Sequence, residues 1–214
     1  MAKVLLGVTG SVAAIRTPEL FRELKKAGQE VKVVATQASL YFFDPAALDS
    51  SQPGRNREVV VLDEDEWPGL GEGQRWQPND RVLHIELRRW ADLLLMAPLD
   101  ANTLAKLANG LSDNCLTCVW RAWDPARPVV LAPAMNTLMW EHPMTTRHLR
   151  QLAADAVPPG LDLDGVVDWI NTHCPKLRIV PPQSKRLACG DVGVGAMAAL
   201  DEILSNVTRL SEKH

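Results

Sequence analysis

The chain has 214 residues, 46 % hydrophobic and 23 % charged, the balance of a globular protein able to bury a sizeable core. Its 23 Lys and Arg against 26 Asp and Glu leave a net charge of −3, so no basic excess marks a surface for nucleic acid or acidic membrane. A disordered chain, a collagen-like repeat and a coiled coil are excluded. No apolar run approaches the roughly 20 residues of a membrane helix. No signal-peptide layout precedes the first apolar run. Four cysteines are too few for a disulfide framework, which predicts reduced thiols in the cytoplasm.

Short apolar runs alternate with helical patterns, the mark of parallel βαβ units and hence of an α/β, doubly wound sheet in one domain. Val4 to Leu6 reads as the first strand, buried on both faces because it does not alternate. The stretch from Ser11 to Ala27 is helical and stops at Gly28. Pro18 predicts either a kink or a restart, with Thr17 as cap and Pro18 at the first helical position. Val31 to Ala35 is the second strand and Val59 to Leu62 a weaker third. Residues 44 to 81 form a loop elaboration rich in Pro, Gly and charge. Its acidic run Asp63-Glu64-Asp65-Glu66 reads as a solvated surface loop. Leu93 to Ala97 and Val129 to Ala132 are strong strands, and Leu177 to Val180 is a further one. Helices are predicted over Asn102 to Leu111, Asn114 to Trp123, Thr145 to Ala154 and Ala198 to Val207. Residues 156 to 175 look like an excursion from the sheet, with Asp162-Leu163-Asp164-Gly165 as a turn. Val166, Val167, Trp169 and Ile170 within it are too apolar to be left in water and are expected to pack on a neighbouring surface.

Ligands of an open parallel sheet bind at the carboxyl ends of its strands. Four segments end strands in that manner. Gly7-Val8-Thr9-Gly10-Ser11 leads a strand into a helix and offers amides to a phosphate. It is no dinucleotide fingerprint, because Thr9 stands where a second glycine belongs. Thr36 to Ser39 could complete a phosphate cradle or merely cap a helix. Asp100 or Asn102 could be an ordinary helix cap. Pro133 to Trp140 is a Met/Trp cluster of the kind that usually packs a core. Cys115 and Cys118 have CxxC spacing inside a helical pattern with no second ligand pair, which favours packing over a metal site. Cys189 is different, a thiol in the glycine-rich loop Leu187 to Gly195, suited to a lid that closes on substrate.

Together these segments resemble the flavin-containing cysteine decarboxylases. The resemblance runs from Val4 to about Leu204. It rests on Gly7 to Ala13, His84 to Asp92, Pro98 to Thr103, Pro133 to Trp140 and Leu187 to Ala198. It implies a Rossmann-like flavoprotein domain over 1–214, with a substrate clamp at about 181–198. FMN is expected at Gly10, Ser11 and Val12, at Thr36 and Ser39, at Asp100, Ala101, Asn102 and Thr103, and beside Ala134. The resemblance makes His84 the active-site histidine and Cys189 the reactive cysteine. It places Asn136 on the substrate carboxylate, puts Arg186, Ala188 and Met197 where the clamp meets substrate, and includes no metal. The family assembles as trimers with each flavin site shared across an interface.

The activity so implied is FMN-dependent oxidative decarboxylation of phosphopantothenoylcysteine to phosphopantetheine in coenzyme A biosynthesis. Two alternatives stand beside it, a peptidyl-cysteine decarboxylase that stops at an enethiol and a non-catalytic regulatory flavoprotein. The Cys189 loop favours the first activity, and the end of the sequence at Ser211 to His214 lacks the long acidic tail of the regulatory relatives. A nicotinamide-binding reductase is disfavoured by Thr9. Two features depart from the family pattern: Asp100 stands where many members carry serine, and 156–175 looks like an insertion just before the clamp.

Overall fold

A computed structural model describes residues 1–48, 56–186 and 192–212. β1 (Lys3–Val8) leads through a 3-10 turn (Val12–Arg16) into α1 (Thr17–Lys26), followed by β2 (Glu30–Ala35). Pro18 sits in the first turn of α1, where its missing N–H costs nothing, so the helical stretch breaks into two pieces just before it. The chain continues through β3 (Val60–Leu62), α2 (Asp63–Glu66), α3 (Leu83–Trp90) and β4 (Leu93–Leu99). Then come α4 (Ala101–Asn109), α5 (Cys115–Arg121), β5 (Val129–Pro133), α6 (Thr137–Trp140) and α7 (Pro143–Leu152). Last are α8 (Leu163–His173), β6 (Leu177–Ile179), β7 (Gln183–Arg186), β8 (Val192–Ala196) and α9 (Leu200–Ser211). None of these helices is long and apolar enough to cross a membrane.

Six strands form one parallel sheet in the order β3-β2-β1-β4-β5-β6. This is the doubly wound α/β arrangement expected from the alternating pattern, with the change of direction between β1 and β4. Both faces of the sheet are covered. Val4, Leu6, Leu95 and Val130 face a core shared with α1 and α9, while Leu5, Leu94, Met96 and Leu131 face one shared with α3, α4, α5, α7 and α8. All seven residues of β4 are buried, which is why that strand reads as a continuous apolar run. β7 and β8 form a separate antiparallel hairpin.

Two expectations change. The acidic run is a helical turn, α2, in which Glu66 is buried, because this segment packs against α3 and α5 rather than facing water. The turn expected at Asp162 to Gly165 opens a helix of eleven residues, α8, with the Asp162 side chain accepting from Gly165 N–H at 2.9 Å as its N-cap. Val166, Val167 and Ile170 are buried in the core beside α7 and β6, and Trp169 stacks on His173. The excursion thus packs against its own chain.

Candidate functional site

At the switch point, the turns after β1 and β4 are pinned together by Thr9. Its hydroxyl donates to Pro98 O at 2.9 Å and accepts from Asp100 N–H at 2.7 Å. That bridge gives a physical reason for threonine where a dinucleotide fingerprint has glycine. The Ala97–Pro98 peptide in this bend is cis. Gly10 follows, wedged between two neighbours: a Cβ there would lie 2.7 Å from Ala38 Cβ and 3.3 Å from Asp100 Oδ2. Three of the predicted cofactor segments, at Gly10, at Thr36 to Ser39 and at Asp100, therefore meet. Ser11 caps the 3-10 turn by accepting from Ala13 N–H, and Val12 is exposed. Ser39 is fully buried, its hydroxyl donating to Thr36 O at 2.7 Å. Asp100 is the N-cap of α4, its Oδ1 accepting from Thr103 N–H at 2.7 Å. The amides of Ala101 and Asn102 start that helix and have no acceptor within it.

The fourth strand end adds the clamp. Ala134 is buried and its N–H donates to Leu99 O. Met135 N–H donates to Gly195 O at 2.9 Å, joining β8 to the segment after β5. Only glycine permits that approach at 195, since a Cβ would stand 2.1 Å from Met135 O. Asn136 caps α6, its Oδ1 accepting from Leu138 N–H at 2.9 Å. Met197 is buried in the core, and its carbonyl accepts from the Gln183 side-chain amide at 2.7 Å. Arg186 ends β7. Ala188 and Cys189 lie outside the described residues.

His84 stands on the first turn of α3, half-buried, and both its backbone N–H and its Nδ1 meet the Glu66 carboxylate. Asp63, at the other end of α2, accepts from Gln37 N–H at 2.8 Å, and burial above all raises its carboxyl above the ordinary range. Burial above all, with the Glu66 charge behind it, pushes the Cys115 thiol far up, and Cys118 moves the same way for the same reasons. Cys115, on α5, is fully buried in the core, the packing place that its helical context suggested. Neither Glu66 nor Thr9 is assigned a role by the sequence pattern. No signal in one dimension separates Glu66 from its three acidic neighbours, because its burial depends on α3 and α5 further along the chain. Among the described residues no cluster of His, Cys, Asp and Glu could hold a metal ion. A hollow of about 760 Å³ at the opposite end of the strands, lined in part by Met1, Asp92 and Arg127, carries none of the predicted site residues.

The geometry fits a flavin phosphate. Thr36 Oγ1 is buried and has no hydrogen-bond partner among the described residues, an orphan that a buried hydroxyl seldom remains. It sits in the same loop that closes on Gly10 and Asp100.

The chain matches the family model described as Flavoprotein over residues 1–212. It is 44 % identical over 212 residues to a phosphopantothenoylcysteine decarboxylase of Oryza sativa subsp. japonica, covering 99 % of this chain and 81 % of that one. Its fold is similar to that of a cysteine-to-serine variant of PPC decarboxylase complexed with pantothenoylaminoethenethiol, at a TM-score of 0.78 and 44 % identity, covering 99 % and 98 % of the two chains. It is likewise similar to the FMN binding protein AtHal3, at 0.75 and 43 %, covering 100 % and 98 %. By matched span, identity and fold, this chain belongs to the Flavoprotein family.

Proposed function

We propose that this chain is an FMN-dependent decarboxylase that converts phosphopantothenoylcysteine to phosphopantetheine, a step of coenzyme A biosynthesis. One observation carries the reading. Four strand ends bring the expected cofactor and clamp segments to one edge of the sheet, in a chain 44 % identical over nearly its whole length to a decarboxylase of that name. Gly10, Ser11, Val12, Thr36, Ser39, Asp100 to Thr103 and Ala134 would hold FMN, the orphaned Thr36 hydroxyl giving the phosphate a buried donor. FMN when bound supplies a two-electron acceptor and donor.

The residues of the chain supply the rest. An α-amido carboxylate has no electron sink, so loss of CO₂ from it would leave an unstabilised carbanion. A thioaldehyde carbon β to the carboxylate provides the sink. Asn136 would donate its amide N–H groups to the carboxylate and set the breaking C–C bond. His84 would hold or move a proton at Nε2, the ring nitrogen turned away from Glu66. Arg186, Ala188 and Met197 belong to the clamp that encloses the substrate. Cys189 would deliver the proton to the enethiol carbon that completes the saturated thiol, a role suited to a thiol more than to a hydroxyl. A trimer with each site completed by a neighbour accords with the exposed apolar side chains of Val12, Ile15 and Tyr41 beside the cofactor loops, and a cytoplasmic setting with the small number of cysteines.

The test is incubation of FMN-loaded protein with phosphopantothenoylcysteine. Mass spectrometry should show loss of CO₂ and a saturated thiol. Cys189→Ser should still release CO₂ while accumulating the enethiol. Protein that stays colourless after reconstitution with excess FMN, or that leaves the substrate intact, would defeat the proposal.

A further inference from the structure

Glu66 is a buried ionisable group that the resemblance leaves without a role. Its side chain is 4 % exposed, at the end of the single turn α2. Both oxygens face His84: Oε2 accepts from His84 N–H at 3.0 Å and Oε1 meets His84 Nδ1. The first contact replaces a helix cap, because Val82 at the N-cap of α3 has no side-chain oxygen. A backbone amide can only donate, so Oε2 is an acceptor. With Oε2 already accepting from the amide, the carboxyl is the acceptor of the pair, which puts the hydrogen between Oε1 and Nδ1 on Nδ1. A neutral imidazole has one N–H and one lone pair, and the lone pair then falls on Nε2.

We infer that Glu66 is a positioning residue for the reaction: it fixes His84 in the Nδ1–H tautomer and aims Nε2 outward as the proton acceptor of the site. This rests on the reading of His84 as the active-site histidine. The other titratable and charged groups around the pair are Asp63 on the same turn, Cys115 and Cys118 on α5, and Asp113 and Lys106 beyond them. The hydrogen bonds of His84 go to Glu66 alone among these. α2 also connects the histidine to the cofactor loop. Asp63, three residues before Glu66, holds Gln37 N–H, one residue after the orphaned Thr36. One turn of helix thus ties the loop that would grip FMN to the segment that carries His84.

The decisive measurement reads ring nitrogens directly. In FMN-loaded wild type, two-bond ¹H–¹⁵N correlations of His84, assigned by their loss in His84→Asn, should show a protonated Nδ1 and a bare Nε2. Glu66→Gln places an amide there that can donate to Nδ1 as readily as accept from it. That variant should populate the Nε2–H tautomer and lose about 10²-fold in kcat, with KM changed by no more than about twofold and flavin absorbance intact. A role confined to capping α3 would leave the tautomer unmoved, since the glutamine oxygen can still take His84 N–H. An Nε2–H signal in the wild type overturns the inference whether or not the variant folds, as does a Glu66→Gln protein with unchanged tautomer and unchanged kcat. Normal turnover by His84→Asn would instead defeat the assignment of His84 itself, and the two failures are read from different samples.

Discussion

Thr36 shows how much one unsatisfied atom can reveal. The residue is 5 % exposed and its hydroxyl has no partner among the described residues, which costs the fold about 1–3 kcal/mol in desolvation. Thr36→Val removes that cost and keeps the shape. The apo-protein should therefore unfold at a higher urea concentration, while FMN affinity falls by about tenfold or more, each 1.4 kcal/mol of lost hydrogen bonding being tenfold. Urea titration and fluorescence titration with FMN measure the two halves, and a variant that binds FMN as tightly as wild type would remove Thr36 from the cradle. The sequence put this residue at the end of a buried strand but left open whether it completes a cradle or merely caps a helix. The bridging of Thr9 was not legible there. Its hydroxyl joins residues 89 and 91 positions away, and nothing local to Thr9 announces that.

At the scale of elements, the strands were legible because burial on both faces leaves uninterrupted apolar runs, and β4 is the plainest case. The two segments that misled, α2 and α8, did so for opposite reasons. α2 is four acidic residues, a composition that reads as solvated until α5 is laid over it. α8 opens with Asp-Leu-Asp-Gly, whose turn chemistry and N-cap chemistry are the same, so the helix behind it was hidden. Because Ile170 is fully buried against its own chain, Ile170→Ala should cost roughly 2–5 kcal/mol. Calorimetry should read this as about 2–4 °C of Tm per kcal/mol. Flavin content and mass by light scattering should not move; a change in assembly would show that α8 serves an interface instead. For α2 the sign of the pH effect follows from Asp63. Its carboxyl is raised in the fold from 3.8, mainly by burial, so the folded state disfavours its charge. That penalty is absent below 3.8 and grows as pH rises through the window up to the folded value. Asp63→Asn, whose side-chain oxygen can still accept from Gln37 N–H, should stabilise the protein near neutrality and leave it unchanged in acid. Equal urea midpoints at both pH values would show that burial of this carboxyl carries no penalty.

Across the whole molecule, the sheet is sturdy at its centre and thin at its rim. β1 and β4 pair in the middle between two cores, whereas β3, the outermost strand on one side, has three residues and is held by β2 alone. The single turn that carries Glu66 hangs directly from that outermost strand. A helix of one turn has no stability of its own, so it persists only while its neighbours hold it. The rim should open at a lower free energy than the centre, and amide hydrogen exchange should show Val60 to Glu66 losing protection while Leu93 to Leu99 keep it. Opening the rim would release the His84 ring without touching the strands that carry Gly10 and Asp100. In mild urea, catalysis should therefore fade before either flavin or circular dichroism does, leaving a yellow, folded and silent protein. Coincident loss of all three signals would mean that the rim and centre melt as one.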